Sequence, residues 1–194
     1  TFTGTVNNGS VAIGIEYFSN PDPTLGGVAY NLIGNPYPSG VDAADFLFAN
    51  QSRLAEATIW YWDDAGAPTF ASADYATWNL LGGTSGGGGN VPTGVIGSAQ
   101  GFKVKASSTG SVQFSNSMRV ATNTNMLFRQ AEAKKLWLSA TNTENLSNQL
   151  LVGFTEDGTD GVDWGYDGSH LSPQSDLSFY SLIDGAPYAI QGYG

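Results

Sequence analysis

Short runs in which apolar residues alternate with small or polar ones, separated by turn-forming residues, recur along most of this 194-residue chain. Val11, Ile13 and Ile15 alternate in this way after an Asn-Asn-Gly sequence. The pattern predicts a hairpin over residues 3–18. Residues 58–62 read Thr-Ile-Trp-Tyr-Trp, the densest β-forming run of the chain, and predict a further strand.

A second hairpin is predicted over residues 100–114. Phe102, Val104 and Ala106 alternate with lysines, and a Thr-Gly turn precedes the return strand. One short helix is predicted over residues 41–50, where Asp42 can cap the first turn. Together these patterns predict an all-β fold of antiparallel, jelly-roll-like β-sandwich units with at most one short helix.

A proline-rich corner over residues 31–39 follows a short apolar strand. Its two prolines fix their own backbone angles and favour extended conformations in the residues before them. The preceding glycine and asparagine tolerate the dihedral angles that a sharp corner needs. We expect this corner to be rigid, and the four consecutive glycines at residues 86–89 to form the most mobile internal loop.

Polar residues dominate residues 123–135, which we interpret as a linker. The predicted organisation is a β-sandwich module over residues 1–122 and the start of a second module over residues 136–194. Four strands are predicted in the second module, over residues 136–140, 149–154, 177–183 and 188–191. A segment of about 60 residues buries little core, so we expect this module to be truncated and the chain to be a piece of a longer protein.

The chain is strongly acidic, with 17 acidic against 7 basic residues and a formal net charge of −10. This charge disfavours nucleic acids and acidic lipid surfaces as partners and favours cations, calcium above all. The chain has no cysteine, and charged residues make up only 12% of it, a composition typical of exported β proteins. No apolar run approaches the roughly 18 residues that suggest a membrane-spanning helix, so we expect no membrane insertion.

Four aspartates lie within eleven residues, interleaved with glycines: Asp157, Asp160, Asp163 and Asp167. Calcium prefers carboxylate and carbonyl oxygens on a flexible loop, so these aspartates are a candidate calcium site and calcium is the one candidate cofactor. Their spacing does not match the EF-hand loop. The alternative is that they cap turns at strand ends without a metal, as Asp side chains commonly do.

Three tryptophans, Trp60, Trp62 and Trp78, concentrate aromatic surface in one region of the chain. Strand alternation places Trp60 and Trp62 on the same face of their strand. Exposed tryptophans would stack on sugar rings and form a carbohydrate-binding surface, whereas buried ones would be core residues. Both interpretations are open from the sequence.

Enzyme chemistry has little support in the sequence. Residues 83–87 match G-x-S-x-G, but glycines surround them and no helix is predicted after them, as a nucleophile elbow requires. The only histidine, His170, lies in a distant polar segment, and a serine without a positioned base is a poor nucleophile. The acidic residues are best interpreted as solvated loop residues rather than a glycosidase pair, so we expect no catalytic residues.

Several segments carry a family resemblance, in the same order along most of the chain. They are Asn-Leu-Ile-Gly-Asn-Pro-Tyr-Pro-Ser at residues 31–39, Ala-Gln-Gly-Phe at residues 99–102, Phe-Ser-Asn-Ser-Met-Arg at residues 114–119, Val-Gly-Phe at residues 152–154 and Thr-Asp-Gly-Val-Asp at residues 159–163. These segments resemble a signature of large surface and secreted proteins of the Bacteroidota, cargo of type IX secretion. Nothing like their carboxy-terminal sorting domain is present. The resemblance implies export through the outer membrane, an extracellular or cell-surface location, and other domains of the same long chain as partners.

The sequence therefore favours a non-catalytic extracellular β-sandwich module that serves adhesion, spacing or assembly, with surface glycans or proteins as further candidate partners. The alternative is a carbohydrate-binding module of a secreted enzyme. Exposure of Trp60, Trp62 and Trp78 distinguishes the two, because a solvent-facing aromatic strip favours sugar binding.

Overall fold

The computed structural model describes residues 4–18, 29–63, 75–86, 90–121, 134–144, 146–171 and 177–194. The chain is all-β and sandwich-like, with several antiparallel sheets and one α-helix among these residues, which confirms the predicted fold class. The elements in chain order are β1 (Val11–Ile15), β2 (Tyr30–Gly34), β3 (Gly40–Asp42), α1 (Ala43–Ala49), β4 (Thr58–Trp62), β5 (Tyr75–Asn79), β6 (Gly83–Thr84), β7 (Val95–Ile96), β8 (Gly101–Lys105), β9 (Gly110–Phe114), β10 (Arg119–Val120), β11 (Lys134–Thr141), β12 (Ser147–Phe154), β13 (Gly168–Ser169), β14 (Ser181–Ile183) and β15 (Ala186–Tyr193). No helix among the described residues is long and apolar enough to span a membrane.

Contacts divide the chain into two compact units, and each unit is built from two separate stretches of sequence. Unit 1 comprises Thr1–Ala55 and Val95–Asn125, and unit 2 comprises Glu56–Gly94 and Met126–Gly194. This division differs from the predicted boundary after residue 122, because residues 56–94 belong with the second unit. Of the predicted linker, residues 123–133 lie outside the described part of the chain, as do residues 87–89 of the glycine run.

The sheets of unit 1 are formed by strands that are distant in sequence. β1 pairs antiparallel with β9, β2 pairs antiparallel with β8, and β3 lies between β7 and β10. Both predicted hairpins are therefore wrong, since β1 pairs with no preceding strand in the described residues and β8 and β9 pair with different partners. The alternation within each strand is nevertheless as predicted, because Phe102, Val104, Val112 and Phe114 are all buried.

Helix α1 contributes the buried side chain of Phe46 to the core of unit 1. Phe46 stacks on Phe114 of β9 with ring centroids 4.7 Å apart, and it meets Phe102 of β8 edge-on at 5.5 Å. The Asp42 side chain accepts a hydrogen bond from the N–H of Asp45 at 2.9 Å, which confirms Asp42 as the N-cap. At the other end of the helix, the buried Asn50 side chain donates to the Phe46 carbonyl and pairs with the backbone of β9.

The corner that follows β2 is held by the buried side chain of Asn35. Its Nδ2 donates to the carbonyls of Ser39, Ile96 and Gly97 at 2.8–3.1 Å. Its Oδ1 accepts a hydrogen bond from the N–H of Tyr37 at 2.9 Å, which closes the turn around the first proline. One amide group thus satisfies backbone groups on both sides of the corner and on the connection that follows β7.

Unit 2 contains two groups of paired strands. β4, β5 and β6 form a small antiparallel group, and the second group has the order β11–β12–β15–β13. β12 and β15 are parallel, and β14 is joined to β15 by a two-residue Asp-Gly turn at residues 184–185 with positive φ at both positions. Leu81, Leu151 and Ile190 form the buried apolar cluster. A Cβ atom at Gly153 would lie 2.5 Å from the Leu81 side chain, so any larger residue there would displace Leu81.

Replacing Asn35 tests how far the corner stabilises unit 1. Asn35→Ala removes its side-chain hydrogen bonds to three buried or half-buried carbonyls and to one N–H, so we expect the free energy of unfolding to fall by about 2–4 kcal/mol. Chemical denaturation followed by fluorescence measures this loss. The matched control is Asn7→Ala, which removes one exposed hydrogen bond to the Pro36 carbonyl and should cost no more than about 0.5 kcal/mol. Equal losses in the two variants would contradict the assigned role of Asn35.

Candidate functional site

Two polar contacts join the start of β4 to β13 in unit 2. The carboxylate of Glu56 accepts hydrogen bonds from both the N–H, at 2.8 Å, and the hydroxyl of Ser169. The indole Nε1 of Trp60 donates to the Ser169 carbonyl at 3.1 Å. Glu56 and Trp60 are both buried. Because His170 directly follows Ser169, these contacts also place His170 beside β5, which begins at Tyr75.

A small cleft lies at this junction, with a cavity volume of about 10 Å³, room for about one water molecule. Its walls come from β5, β6, the start of β12, β15 and the residues that follow β13, all within unit 2. Among the described residues they consist largely of hydroxyl, amide and ring groups, with no carboxylate or ammonium group. The lining residues are Tyr75, Thr77, Thr84, Ser85, Asn148, Gln149, His170, Leu171 and Ala189.

His170 is the one basic side chain among the described residues of the cleft, and it is only 8% exposed. Burial lowers the pKa of its imidazole, so the ring is neutral at pH 7. The Asn148 Nδ2 lies 3.4 Å from His170 Nε2, and an amide nitrogen can only donate. Nε2 is therefore the acceptor and Nδ1 carries the proton. Nδ1 is buried and has no hydrogen-bond partner among the described residues.

The structure brings Ser85, the serine of the G-x-S-x-G match, into the same cleft as His170. His170 is distant from this serine along the chain, but the fold brings the two residues to the same cleft. The arrangement nevertheless differs from a serine–histidine pair, because His170 Nε2 already accepts from Asn148. The backbone N–H of Ser85 donates to Gln149 Oε1 at 3.2 Å, so this serine is tied to β12.

The four predicted calcium ligands lie on one loop, where two of them serve as backbone caps. Asp167 is buried, and its carboxylate accepts from the N–H of Asp163 at 2.6 Å and of Gly192 at 2.8 Å. Asp163 accepts from the N–H and the hydroxyl of Thr159. Burial raises the pKa of Asp167, and the charges of Asp163 and Glu56 act in the same direction. Asp157 and Asp160 are exposed.

These contacts correspond to the alternative interpretation of the loop, in which aspartates cap turns. In the part of the chain that the structure describes, no three Asp, Glu, His or Cys side chains are grouped so as to hold a metal ion. Calcium binding at Asp157, Asp160, Asp163 and Asp167 stays a prediction, and it would require the loop to rearrange around the ion.

The three predicted carbohydrate-binding tryptophans do not form a single exposed strip. Trp60 is completely buried, and Trp78 is buried against the backbone of Gly94. Trp62 is 45% exposed and contacts Tyr75 edge-on, with ring centroids 5.0 Å apart. Only Trp62 therefore combines exposure with a position beside the cleft, which Tyr75 lines.

Sequence reasoning missed most of the cleft. The side chains of Thr77, Thr84, Asn148 and Gln149 carry no motif, and they come from three separate segments of the chain. His170 could be singled out only as the single histidine. The available signal was the strand alternation of β5, which places Tyr75 and Thr77 on one face.

Replacing Asp167 separates the two interpretations of the acidic loop. Asp167→Ala leaves two N–H groups without an acceptor, so we expect a loss of about 2–3 kcal/mol in the free energy of unfolding, with or without calcium. The exposed Asp160→Ala is the control and should change stability by less than about 0.5 kcal/mol. Thermal melts with calcium and with chelator provide the measurement. A calcium-dependent rise in melting temperature that Asp160→Ala abolishes would establish the metal site instead.

The lowered pKa of His170 predicts a pH dependence of stability. The unfolded imidazole takes up a proton near its ordinary pKa of 6.5, whereas the folded one does so only at a lower pH. The free energy of unfolding should therefore fall as the pH decreases from 6.5 towards the folded-state pKa. Because the chain has one histidine, His170→Gln should flatten this part of the profile, as measured by denaturant unfolding at several pH values. An unchanged slope in the variant would show that other groups cause it.

Comparisons with known proteins give a family and no activity. Neither the curated proteins nor the solved structures contain a match to this chain. One family model, described as a domain of unknown function, DUF8693, matches residues 1–194. Since the match spans every residue, the chain belongs to the DUF8693 family.

Proposed function

We propose that the chain is a non-catalytic β module of a larger secreted or cell-surface bacterial protein, and that it acts in assembly through strand β11. The observation that supports this proposal is an apolar, eight-residue strand at the edge of its sheet. Among the described residues β11 pairs only with β12. A long, exposed and apolar edge strand favours pairing with a further strand.

The backbone of β11 offers hydrogen-bonding groups on its free side. The N–H of Asn142, just after the strand, donates to the Leu146 carbonyl at 3.0 Å. Hydrogen-bonded and non-hydrogen-bonded pairs alternate along an antiparallel ladder, so the even-numbered residues of β11 bond to β12. Lys135, Trp137 and Ser139 therefore direct their N–H and C=O groups away from β12. An added strand would satisfy these groups in a regular ladder.

Side chains on one face of β11 and β12 add an apolar surface beside this edge. Leu136 is 51% exposed, Leu138 is 38% exposed and Phe154 is 51% exposed. The register pairs Leu136 with Val152 and Lys134 with Phe154, so all three apolar side chains lie on the same face. The Phe154 ring stacks on Tyr193 with centroids 6.1 Å apart. Single exposed apolar residues are usually scattered over a protein surface, whereas these three share one face.

Charge indicates which kind of strand fits the edge. Lys134 and Lys135 stand at the start of β11, whereas the chain as a whole carries 17 acidic and only 7 basic residues. A strand from another module of similar composition would bring carboxylates to these lysines. The proposed occupant is therefore an acidic β-strand from a neighbouring module of the same protein.

The remaining parts of the proposal have separate support. The extracellular or cell-surface location and the type IX export route rest on the sequence resemblance and on the low fraction of charged residues. A non-catalytic role is supported by His170, whose Nε2 accepts from Asn148 rather than from a serine hydroxyl. A binding module needs no catalytic residues, only an exposed surface that a partner can contact.

A concentration series on the purified chain tests the assembly surface. Without a neighbouring module, the free edge should pair with a second copy, so the average mass in sedimentation should rise with concentration. The double variant Leu136→Thr, Leu138→Thr keeps strand-forming residues while removing apolar surface, and it should stay monomeric at an unchanged melting temperature.

Leu182→Thr is the matched control, because Leu182 is a leucine on β14 that is more exposed, at 60%, than either Leu136 or Leu138. It should associate like the unaltered chain. A chain that stays monomeric at every concentration, or an equal effect of the two variants, would contradict an assembly role for β11.

A further inference from the structure

We infer that the cleft beside His170 is a binding site for a single structural water molecule. This water accepts a hydrogen bond from His170 Nδ1 and donates hydrogen bonds to the threonine hydroxyls of β5 and β6. It thereby joins the two groups of paired strands in unit 2. The site is separate from the β11 edge and does not depend on the proposed assembly role.

The size of the cleft determines which ligand fits. Its cavity volume is about 10 Å³. A polar cavity begins to hold one water molecule at roughly 10–15 Å³. A sugar ring, a nucleotide or a hydrated ion is too large for this space, so the ligand has the size of one water molecule.

The buried imidazole of His170 supplies a donor that needs an acceptor. Its Nδ1 is buried and has no hydrogen-bond partner among the described residues, whereas Nε2 accepts from the Asn148 amide. Burial lowers the pKa of His170, so the ring is neutral at pH 7 and its one proton lies on Nδ1. Buried polar groups without a partner are rare in native proteins. A water oxygen accepts this hydrogen bond without bringing a charge into the cleft.

Two threonine side chains line the same space from β5 and β6. Thr77 and Thr84 are directly opposite each other in the antiparallel pair, so both side chains lie on one face. They are only 3% and 1% exposed. A hydroxyl accepts as well as donates hydrogen bonds, so this pair offers an acceptor for each proton of the water. Together with His170 Nδ1 the two hydroxyls make three partners, which is typical of a buried water.

The absence of charge in the lining argues against other ligands of this size. Among the described lining residues there is no carboxylate, ammonium or guanidinium group. A bare cation would meet the Nδ1–H donor of His170 and no opposite charge. A small anion would likewise find no cationic partner. Water is the small ligand that can both accept from the imidazole and donate to the hydroxyls.

The bound water gives His170 a structural role in place of a catalytic one. Thr77 and Thr84 belong to the β4–β5–β6 group, whereas His170 follows β13 and is held to β12 through Asn148. A hydrogen bond bridged by water is nearly as favourable as a direct one. The water therefore extends the junction that Glu56 and Ser169 form on the preceding residue.

A high-resolution crystal structure of the unaltered chain tests the site directly. We expect one ordered water in the cleft, at about 2.7–3.2 Å from His170 Nδ1 and from the hydroxyl oxygens of Thr77 and Thr84. The chain has one histidine, so the imidazole nitrogen resonances in NMR report its tautomer without overlap. We expect the proton on Nδ1.

A pair of threonine variants tests which groups hold the water. Thr84→Val keeps the shape of the side chain and removes one partner, so the water should be lost from the crystal structure and the melting temperature should fall. Thr58→Val is the matched control, because Thr58 is equally buried in unit 2 and is not among the described lining residues. Its hydroxyl donates to the Asp167 carbonyl, so this variant should keep the water in place.

Three results would overturn the inference. They are an empty cleft in the map of the unaltered chain, a His170 Nδ1 that donates to a protein group, and a proton found on Nε2. Because these results come from the unaltered chain, they decide the question even where Thr84→Val does not fold. An undisturbed water in Thr84→Val would contradict the assigned role of that hydroxyl.

Discussion

The buried hydrogen bonds between Glu56 and Ser169 are the contacts on which unit 2 depends. A buried carboxylate is stable only when its oxygens are satisfied, and the N–H and hydroxyl of Ser169 supply two partners. The Trp60 indole also donates a hydrogen bond to the Ser169 carbonyl. Together these bonds hold β4 beside a segment more than a hundred residues later in the chain. The cleft exists because this junction leaves room beside His170, where polar side chains of several strands converge.

Local features of the fold followed directly from the sequence. Asp42 had a capping side chain before an apolar run, and residues 58–62 had strong β-formers, so α1 and β4 were predicted with nearly correct bounds. Strand partners were not predicted, because alternation identifies the buried face of a strand and says nothing about which strand lies beside it. β1 and β9, almost a hundred residues apart, form a pair that no local turn could indicate.

The candidate sites show the same limit. The aspartate cluster was visible, but the sequence could not show that Asp167 accepts from the N–H of Gly192 on β15. Trp60, Trp62 and Trp78 were visible as well, and only the packing decided that two of them are core residues. The cleft had no signature in the sequence, because its lining residues, such as Asn148 and Thr84, come from distant segments that meet only in the folded chain.

The interleaved order of the two units has a consequence for how the chain folds as it is synthesised. The corner amide of Asn35 bonds to residues 96 and 97, so unit 1 cannot close until residues 56–94 have already emerged. Those residues must wait in turn for their partners near residue 169 and beyond. Neither unit can fold from a continuous nascent segment, and contacts of such long sequence separation make folding slow. During that interval β4 and β5 can pair with each other but lack the later segments that bury them in unit 2, and apolar surface exposed in this way favours aggregation.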